Sequence, residues 1–339
     1  MPRRVSNPSN PWEGTHPEWL GEPPEAELEI FEEEARSILS ENESPDVGFR
    51  WSLNPYRGCF HACAYCYARP SHQYLGFGAG TDFERKLVVK TNAPELLRET
   101  LLRPSWRGEP IAFSGNTDCY QPLEAVYTLT RRCLEVCAEF RNPIGIITKG
   151  ALVRRDVALL ASMARETDVW VSLSIPFADD RIGRAIEPNA SLPSQRFETL
   201  QILSSAGIPT GIGISPLIPG LNDSDIPRLL ERAHRAGARS AFLTLLRLPS
   251  ETLPVFQERL TEALPEKAKR VFGAITEVRG GKWNESEFGA RMRGVGPRWE
   301  AIRGLFDAQC RRLGFNEETS PNRPSPFRRP SPQAELFGG

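Results

Sequence analysis

Three cysteines within eight residues form the part of this sequence that is best suited to metal chemistry. Cys59, Cys63 and Cys66 follow one another with the spacing C-x3-C-x2-C. Their thiolates are soft ligands of the kind that iron–sulfur clusters and zinc prefer. Three thiolates can bind three irons of a [4Fe–4S] cluster, and because no fourth cysteine lies close by, the fourth iron would be open to a substrate. The spacing therefore predicts a cluster that takes part in chemistry rather than in simple electron transfer.

Two alternatives use the same cysteines. His61 would be the fourth ligand of a three-Cys, one-His zinc site, although it lies between two of the cysteines and zinc sites usually pair two-residue spacings. Disulfides are disfavoured because the chain has seven cysteines, an odd number, and no secretory signal precedes them. The iron–sulfur interpretation is the one that the spacing favours.

The composition sets the size and the compartment that we expect. The chain has 339 residues, of which 40% are hydrophobic and 25% are charged, which suits one α/β barrel domain or two smaller domains. No apolar stretch approaches the roughly 20 residues of a membrane span. The first residues lack the apolar segment of an export signal. We therefore expect no membrane association and a cytoplasmic location, where cysteines stay reduced.

Charge is unevenly distributed, although the formal net charge is only −1. Residues 22–43 contain nine glutamates and one arginine, whereas residues 267–329 contain 14 Lys and Arg against seven Asp and Glu. A basic, glycine-containing segment of this kind suits phosphate or a carboxylate-rich substrate. A solvated surface balanced by the acidic N-terminus is the alternative. The basic residues that lie among the glycines are Arg279, Lys282, Arg291, Arg293 and Arg298.

The elements that must position the cysteines are indicated by short apolar runs that alternate with helical patterns. Nearly continuous apolar runs are typical of strands covered on both faces by helices. Six β-then-α units predict an α/β protein with a parallel sheet, either open or closed into a partial barrel. The predicted strands are 50–54, 111–115, 144–148, 169–175, 210–215 and 241–247. The predicted helices are 93–103, 123–140, 154–166, 193–206, 225–236, 251–263 and 297–313.

The longer context of the cysteines resembles a known family. C-x3-C-x-aromatic-C, with Tyr65 as the aromatic residue, is the signature of the radical S-adenosylmethionine (SAM) enzymes. The preceding Arg-Gly and the tyrosines that flank Cys66 resemble the spore photoproduct lyase branch, also called DNA repair photolyase-like. The resemblance covers about residues 50–315. It implies a partial (β/α)6 barrel of the radical SAM type, a [4Fe–4S] cluster and SAM.

The resemblance also implies roles for residues at the carboxyl ends of the strands, where ligands of parallel α/β barrels bind. The turn after the second strand would receive the amino group of SAM, because its side chains offer acceptors for an ammonium. Lys149 would pair with the SAM carboxylate. Ser174 would bind its ribose or carboxylate, and Tyr65 and Tyr67 would lie beside SAM and take part in radical transfer. The turn residues are Ser114, Asn116, Thr117 and Asp118.

One departure from the lyase concerns its hydrogen donor. The lyase has a cysteine just before the run that corresponds to this turn, whereas here Cys119 follows the turn. Cys119 is the candidate donor, and the departure puts reversal of a thymine dimer in question. Cys133, Cys137 and Cys310 read as small buried residues. Arg181 and the Glu187–Pro188 pair recur in this branch, without an assigned role.

These observations predict the organisation of the whole chain. Residues 1–45 would form an acidic, largely disordered arm with one short helix, and residues 320–339 a disordered tail rich in Pro, Ser and Arg. Residues 46–275 would form the radical SAM core, and residues 276–319 a basic extension packed on that core.

The function that follows is reductive cleavage of SAM to give a 5′-deoxyadenosyl radical that removes hydrogen from a substrate. Nucleic acid is the first substrate hypothesis, and a flavodoxin or ferredoxin would supply the electron. The alternatives are a radical enzyme that modifies a protein or a small molecule, and a non-catalytic iron–sulfur or zinc module.

Overall fold

The computed structural model describes residues 27–317 and 325–330. These residues form ten strands, eleven α-helices and three short 3-10 helices. The strands are β1 (Glu29–Glu33), β2 (Leu39–Glu41), β3 (Trp51–Leu53), β4 (Tyr56–Arg57), β5 (Lys86–Lys90), β6 (Ile111–Phe113), β7 (Ile144–Thr148), β8 (Val169–Ser174), β9 (Thr210–Leu217) and β10 (Ser240–Leu245). The α-helices are α1 (Thr81–Arg85), α2 (Ala93–Leu102), α3 (Glu124–Tyr127), α4 (Leu129–Glu139), α5 (Val157–Glu166), α6 (Asp180–Ile186), α7 (Pro193–Ser205), α8 (Ile226–Arg235), α9 (Thr252–Ala263), α10 (Pro265–Val278) and α11 (Gly296–Leu313).

The main sheet contains seven strands in the order β10-β9-β8-β7-β6-β3-β2. β3 and β6 to β10 are parallel and neighbour one another in chain order, and β2 pairs antiparallel with β3 at one edge. Within the described ranges, no pairing joins β10 to β2 and closes the sheet. Helices connect the successive parallel strands from β6 onward. The fold is therefore the predicted partial (β/α)6 barrel.

Apolar periodicity explains why these segments form the barrel. In α8, Ile226, Leu229, Leu230 and Ala233 are buried, and their spacing places them on one helical face that packs against the sheet. The middle of β8 is buried on both faces, as its continuous apolar run predicts. The ring of Phe242 lies over Gly213 of the neighbouring strand, where a Cβ atom would come within 2.4 Å of it.

All six predicted strands and all seven predicted helical regions are present, with changes at their ends. The region predicted as one helix over 123–140 is divided into α3 and α4 at Thr128, whose φ is +53°. Helices α1, α6 and α10 were not predicted. Pro265 interrupts the helical pattern that follows α9, so the sequence pattern does not indicate α10. Proline is nevertheless favoured at the first position of a helix, and α10 begins at Pro265.

The acidic N-terminal segment differs from its prediction. Glu29–Glu33 forms strand β1 rather than a helix, and it pairs in parallel with β5. β5 also pairs with β4, so the three strands form a small second sheet. Ile30 and Phe31 are adjacent and lie among glutamates, so the segment lacks the alternating pattern that indicates a strand, and its partner strand lies more than 50 residues further along the chain. Residues 1–26 lie outside the described residues, and the domain boundaries remain predictions.

Residues 325–330 differ from the predicted disordered tail. Phe327 stacks on Phe140 with ring centroids 6.2 Å apart, and the Ser325 hydroxyl donates to the Gly108 carbonyl at 2.8 Å. Arg329 donates to the Trp106 carbonyl at 2.8 Å. This segment therefore packs on the core, and the remainder of the tail lies outside the described residues. None of the helices in the described ranges is long and apolar enough to cross a membrane.

Candidate active site

The three cysteines lie on the loop that follows β4. Cys59 and Cys63 are buried, Cys66 is half-buried, and all three are free thiols. Ala62 in the middle of the loop adopts a positive φ of 58°, which turns the chain between the first two cysteines. The loop therefore directs three sulfur ligands toward the interior from only eight residues of chain.

Hydrogen bonds with distant segments of the chain hold the backbone of this loop in place. Gln121 donates to the Gly58 carbonyl at 3.1 Å, and Asn189 donates to the Phe60 carbonyl at 2.9 Å. The Thr252 hydroxyl donates to the Cys66 carbonyl at 3.2 Å. The Cys59 N–H also donates to the Phe83 carbonyl, and the Ala64 N–H donates to the Ile186 carbonyl. Side chains and backbone from distant parts of the chain thus fix where the thiols point.

A buried Arg–Glu–Arg triad provides the strongest of these contacts. Glu84 accepts hydrogen bonds from Arg69 and from Arg259, and all three side chains are almost fully buried. Arg69 also donates to the Cys63 carbonyl at 2.8 Å, and Arg259 donates to the Ala62 carbonyl. One carboxylate therefore bridges two guanidinium groups that both hold the cysteine loop.

The electrostatics of the thiols suit a metal that binds thiolate. Burial raises the pKa of Cys63 to about 12 and raises the pKa of Cys59 well above its usual range. The Cys66 thiolate also raises the pKa of Cys59 and of Cys63, and the Cys63 thiolate raises the pKa of Cys59, so the three sulfurs lie in one another's neighbourhood. Within the described ranges no three His, Cys, Asp or Glu side chains converge to hold a single metal ion. A [4Fe–4S] cluster fits this donor set, because each thiolate binds a different iron and offsets its own desolvation there.

The turn after β6 lies directly against the cysteine loop. Ser114 has a φ of +127°, a conformation that is costly for any residue other than glycine, and Gly115 follows at +123°. The Asn54 amide donates to the Ser114 carbonyl at 2.9 Å, and the Ser114 hydroxyl donates to the Ile147 carbonyl. Asn116 is exposed and forms no hydrogen bond with the described residues. Strained backbone of this kind is found at binding sites, where surrounding bonds hold it in place.

Two of the predicted SAM ligands in this turn have protein partners. The Thr117 hydroxyl lies 3.1 Å from the Asn54 side-chain oxygen and from the Tyr56 carbonyl. Asp118 accepts hydrogen bonds from the Thr148 hydroxyl at 2.6 Å and from the Lys149 N–H at 2.7 Å. These bonds join the end of β6 to the end of β7.

Asp118 also contacts His61, the residue that would be the fourth ligand in the alternative zinc site. His61 Nδ1 lies 3.4 Å from Asp118 Oδ2, and both side chains are buried. The bonds from His61, from the Lys149 N–H and from the Thr148 hydroxyl hold the pKa of Asp118 well below its usual range, against the opposing effect of burial. Asp118 is thus an ionised link between the cysteine loop and two strand ends.

Lys149, the predicted partner of the SAM carboxylate, lies near Tyr65 and Cys63 of the cysteine loop. Its ammonium is 5.7 Å from the centre of the Tyr65 ring. Burial lowers the pKa of Lys149, but the Cys63 thiolate and the Glu187 carboxylate outweigh that effect and raise it. Lys149 is therefore a cation among anionic groups at the end of β7.

Ser174 lies at the end of β8 and is buried. Its hydroxyl donates to the Ser215 carbonyl at 2.9 Å, and its own carbonyl accepts a hydrogen bond from Arg196 at 2.8 Å. The structure therefore gives this hydroxyl a protein partner on the neighbouring strand.

The two tyrosines that flank Cys66 differ in their surroundings. Tyr65 is buried and its hydroxyl donates to Glu187, which also accepts a hydrogen bond from the buried Arg196. Tyr67 donates to the Gly115 carbonyl, so it joins the cysteine loop to the strained turn, and its ring remains 46% exposed. Tyr65 is thus part of a buried ionic network, whereas Tyr67 is open to solvent on the side of the cysteine loop that we call the entrance of the site.

Cys119 is fully buried in the main hydrophobic core. Its sulfur lies 3.7 Å from the Ser114 hydroxyl, and its carbonyl accepts a hydrogen bond from Thr130 at 2.6 Å. The thiol therefore lies directly behind the strained turn, with Ser114 as its polar neighbour.

The basic C-terminal segment lies over the carboxyl end of β10. The Leu245 N–H donates to the Met292 carbonyl at 3.3 Å. Arg279 donates to the carbonyls of Leu246, Arg291 and Arg293 at 2.7 to 2.8 Å. The segment is therefore anchored at the same end of the barrel as the cysteines.

Sequence reasoning missed most of the residues that hold this site together. Glu187 was noted without a role, and Glu84, Arg69, Arg196 and Arg259 were not singled out. The sequence offered little signal for them, because Glu84, for example, lies among charged residues, between Asp82 and Arg85. A buried charge needs a partner, but such a sequence identifies neither the burial nor the partner.

Comparisons with known proteins agree with this arrangement. Residues 53–233 match the family described as the Radical SAM superfamily, which is more than half of the chain. An uncharacterized protein of Mycobacterium tuberculosis is 39% identical over 224 residues, which cover 66% of this chain and 66% of the relative. The chain therefore spans slightly less than two thirds of the length of this relative. A radical SAM Nα-GlyT isomerase of Pseudomonas phage M6 is 26% identical over 262 residues, which cover 76% of this chain and 52% of the relative.

Solved structures give the same fold. Spore photoproduct lyase complexed with dinucleoside spore photoproduct superposes with a TM-score of 0.61 and 13% identity, over 84% of this chain and 80% of that chain. At this identity the likeness concerns the fold. Together with the family match and the cysteine loop, these findings show that the chain belongs to the radical SAM superfamily, whose members use a [4Fe–4S] cluster and SAM.

Proposed function

We propose that this protein is an enzyme that binds its [4Fe–4S] cluster through Cys59, Cys63 and Cys66, cleaves SAM reductively and acts on nucleic acid. The observation that carries the first part is the presence of three free thiols within eight residues, on a loop held by the Glu84 triad. When bound, the reduced cluster and SAM supply a 5′-deoxyadenosyl radical, which removes hydrogen from the substrate. The chain itself orients SAM, excludes water and positions the substrate.

The strained turn and Lys149 would hold the methionine end of SAM. The Lys149 ammonium suits the SAM carboxylate, since it lies beside the cysteines and is kept protonated by neighbouring anions. Among the four turn residues, Asn116 is the one whose side chain has no partner in the described residues, so we assign it to the SAM amino group. Ser114 shapes the turn, while Thr117 and Asp118 hold it against β3 and β7.

The remaining predicted residues surround this core. Ser174 would face the ribose or carboxylate of SAM from the end of β8. Tyr65 and Tyr67 are the candidates for radical transfer, and Cys119 is a candidate hydrogen donor behind the turn. A flavodoxin or ferredoxin would supply the electron.

The nucleic-acid substrate is supported by the basic segment at the mouth of the barrel and by the fold shared with a lyase bound to a dinucleoside. Arg293 is exposed in this segment, and its side chain has no hydrogen-bond or ion-pair partner in the described residues. Arg291 instead donates to Asp46 at 2.6 Å and is tied to the loop between β2 and β3. Arg293 is therefore the better position for a charge test, because changing Arg291 would also release the loop.

Anaerobic reconstitution tests the first part of the proposal. After reduction with dithionite, the wild-type protein should form 5′-deoxyadenosine from SAM. Cys63→Ala should lose both the four-iron absorbance and this product, while Cys137→Ala, a buried cysteine on α4, should retain both. Normal cluster content and SAM cleavage in Cys63→Ala would refute the assignment, and binding of zinc alone would favour the non-catalytic alternative.

Binding to a labelled DNA or RNA strand tests the second part. Binding should weaken as salt rises, because phosphate contacts release counterions. Arg293→Gln should weaken it further at constant salt. Binding that is absent or independent of salt, with SAM cleavage intact, would direct the search to a protein or small-molecule substrate.

A further inference from the structure

Arg247 follows the last barrel strand and lies at the entrance of the site. It is two residues beyond the end of β10. Its guanidinium carbon is 5.4 Å from the centre of the Tyr67 ring, and Tyr67 directly follows the cluster ligand Cys66. A residue from the sixth parallel strand is thus brought next to the cysteine loop.

The guanidinium of Arg247 has no anionic partner among the residues that the structure describes. Its Nε is shielded from solvent and makes no hydrogen bond there. By contrast, the more deeply buried Arg69, Arg196 and Arg259 each donate to a carboxylate. A partly buried cation without a partner is costly, so an anion from outside the protein would be bound favourably.

The charges around Arg247 strengthen this conclusion. Burial lowers the pKa of Arg247, and the like charge of Arg291 lowers it further. Arg279 is close enough for Arg247 to lower its pKa as well. Asp46 is the nearby carboxylate, but it already accepts hydrogen bonds from Arg291 and from the Gly289 N–H. Glu285 acts on Arg279, so the carboxylate left to Arg247 and Arg291 is Asp46, which is already engaged.

Hydrogen bonds hold the backbone on both sides of Arg247. Arg279 donates to the carbonyl of the preceding Leu246 at 2.7 Å, and the N–H of the following Leu248 donates to Asn284 at 3.1 Å. The basic segment thus holds the backbone on both sides of Arg247 and fixes the position from which its side chain extends.

Two exposed aromatic rings adjoin these arginines and indicate the class of anion. Tyr67 lies beside Arg247, and Phe288, which is 59% exposed, lies 4.3 Å from the Arg291 guanidinium. Single-stranded nucleic acids are bound by cationic groups that contact phosphates and by aromatic rings on which bases stack. We propose that Arg247 binds a phosphate of a nucleic-acid substrate, with the adjacent base beside the ring of Tyr67. This inference rests on the proposed nucleic-acid substrate and names the contact that would recognise it.

The test measures binding of a labelled eight-nucleotide DNA single strand by the anaerobically reconstituted full chain. Arg247→Gln should weaken binding about tenfold, the loss expected for one charge-assisted contact. It should also reduce the slope of log affinity against log salt by about 0.7, the value for one phosphate of a single strand. Arg247→Lys should keep the salt slope and recover part of the affinity, because it retains the charge without the planar fork.

Arg165→Gln is the matched control. Arg165 is an exposed arginine in the last turn of α5, at the opposite end of the barrel, and this variant should bind like the wild type. Equal iron content and equal melting temperatures across the variants establish that each one is folded. A strand in which neutral methylphosphonates replace the phosphates should bind the wild type and Arg247→Gln equally.

The other outcomes either refute the phosphate contact or separate it from the proposed SAM-cleaving activity. If Arg247→Gln binds the strand like the wild type, or loses the same affinity for the neutral strand, the phosphate contact is refuted. If it instead loses binding to an acidic peptide of equal charge while DNA binding is unchanged, the phosphate assignment also fails. If the wild type binds DNA as described but forms neither cluster nor 5′-deoxyadenosine, the phosphate contact stands and the proposed enzyme does not.

Discussion

At the scale of single residues, Glu187 is a buried carboxylate near the site whose charge is balanced by one buried arginine. It joins the Tyr65 hydroxyl to the guanidinium of Arg196, and Glu187 and Arg196 are both almost fully buried. Glu187→Ala would leave Arg196 as an unpaired buried charge, so the free energy of unfolding should fall by about 3–5 kcal/mol. Denaturant unfolding of the wild type and the variant measures this difference.

Glu198 on α7 provides the comparison for Glu187. It also pairs with an arginine, Arg154, but 61% of its side chain is exposed. Glu198→Ala should therefore cost no more than about 1 kcal/mol. Similar losses for the two variants would show that the Glu187 network is not the buried ion pair that its geometry implies.

At the scale of elements, the cysteine loop depends on a helix far away in the sequence. Arg259 of α9 donates to the Ala62 carbonyl and to Glu84, which in turn binds Arg69. Arg259→Met should loosen the loop because it removes both bonds and leaves one guanidinium for the carboxylate. We expect iron release to a chelator to be several times faster than in the wild type, as measured by the colour of the iron–chelator complex.

Arg270→Met on α10 serves as the control for this prediction, because Arg270 is exposed and has no partner in the described residues. It should release iron at the wild-type rate. If Arg259→Met loses stability but releases iron at that same rate, the triad stabilises the fold without positioning the cluster loop.

At the scale of the whole molecule, the cysteine loop connects elements that are otherwise distant. It bonds to Phe83 in α1, to Ile186 in α6 and to Thr252 in α9. A cluster bound to the folded state alone adds its binding free energy to the stability of the entire domain. The cluster-loaded protein should therefore melt several degrees above the same protein after chelation, since 1 kcal/mol shifts the melting temperature by about 2–4 °C at this size. Anaerobic calorimetry measures both states.

Cys63→Ala should abolish this difference, since it cannot hold the cluster. Equal melting temperatures for the loaded and stripped wild-type protein would show that the loop is equally ordered without iron. In that case the protein bonds around the loop, rather than the metal, would set its stability.

The sequence alone predicted the chemistry of the ligands and determined the arrangement of the barrel strands. Cys59, Cys63 and Cys66 lie within eight residues, so their shared site follows from local spacing. The six parallel strands were predicted because strands covered on both faces leave a nearly continuous apolar run. In both cases the information lies within a short stretch of chain. The strand β1 was not predicted, because its partner is distant and its composition does not indicate a strand.

Only the tertiary structure decided which polar groups complete the site. Arg259 and Glu84 are 175 positions apart, and Glu187 and Tyr65 are 122 positions apart. No periodicity or spacing reports such pairs, because burial of a charge implies a partner without naming it. The same holds for Asp118, whose hydrogen bonds to the end of β7 occupy it, and for Arg247, which is left without an anion. Hydrogen-bond partners are assigned when the packing of the barrel brings the strand ends together, and that packing depends on the whole chain.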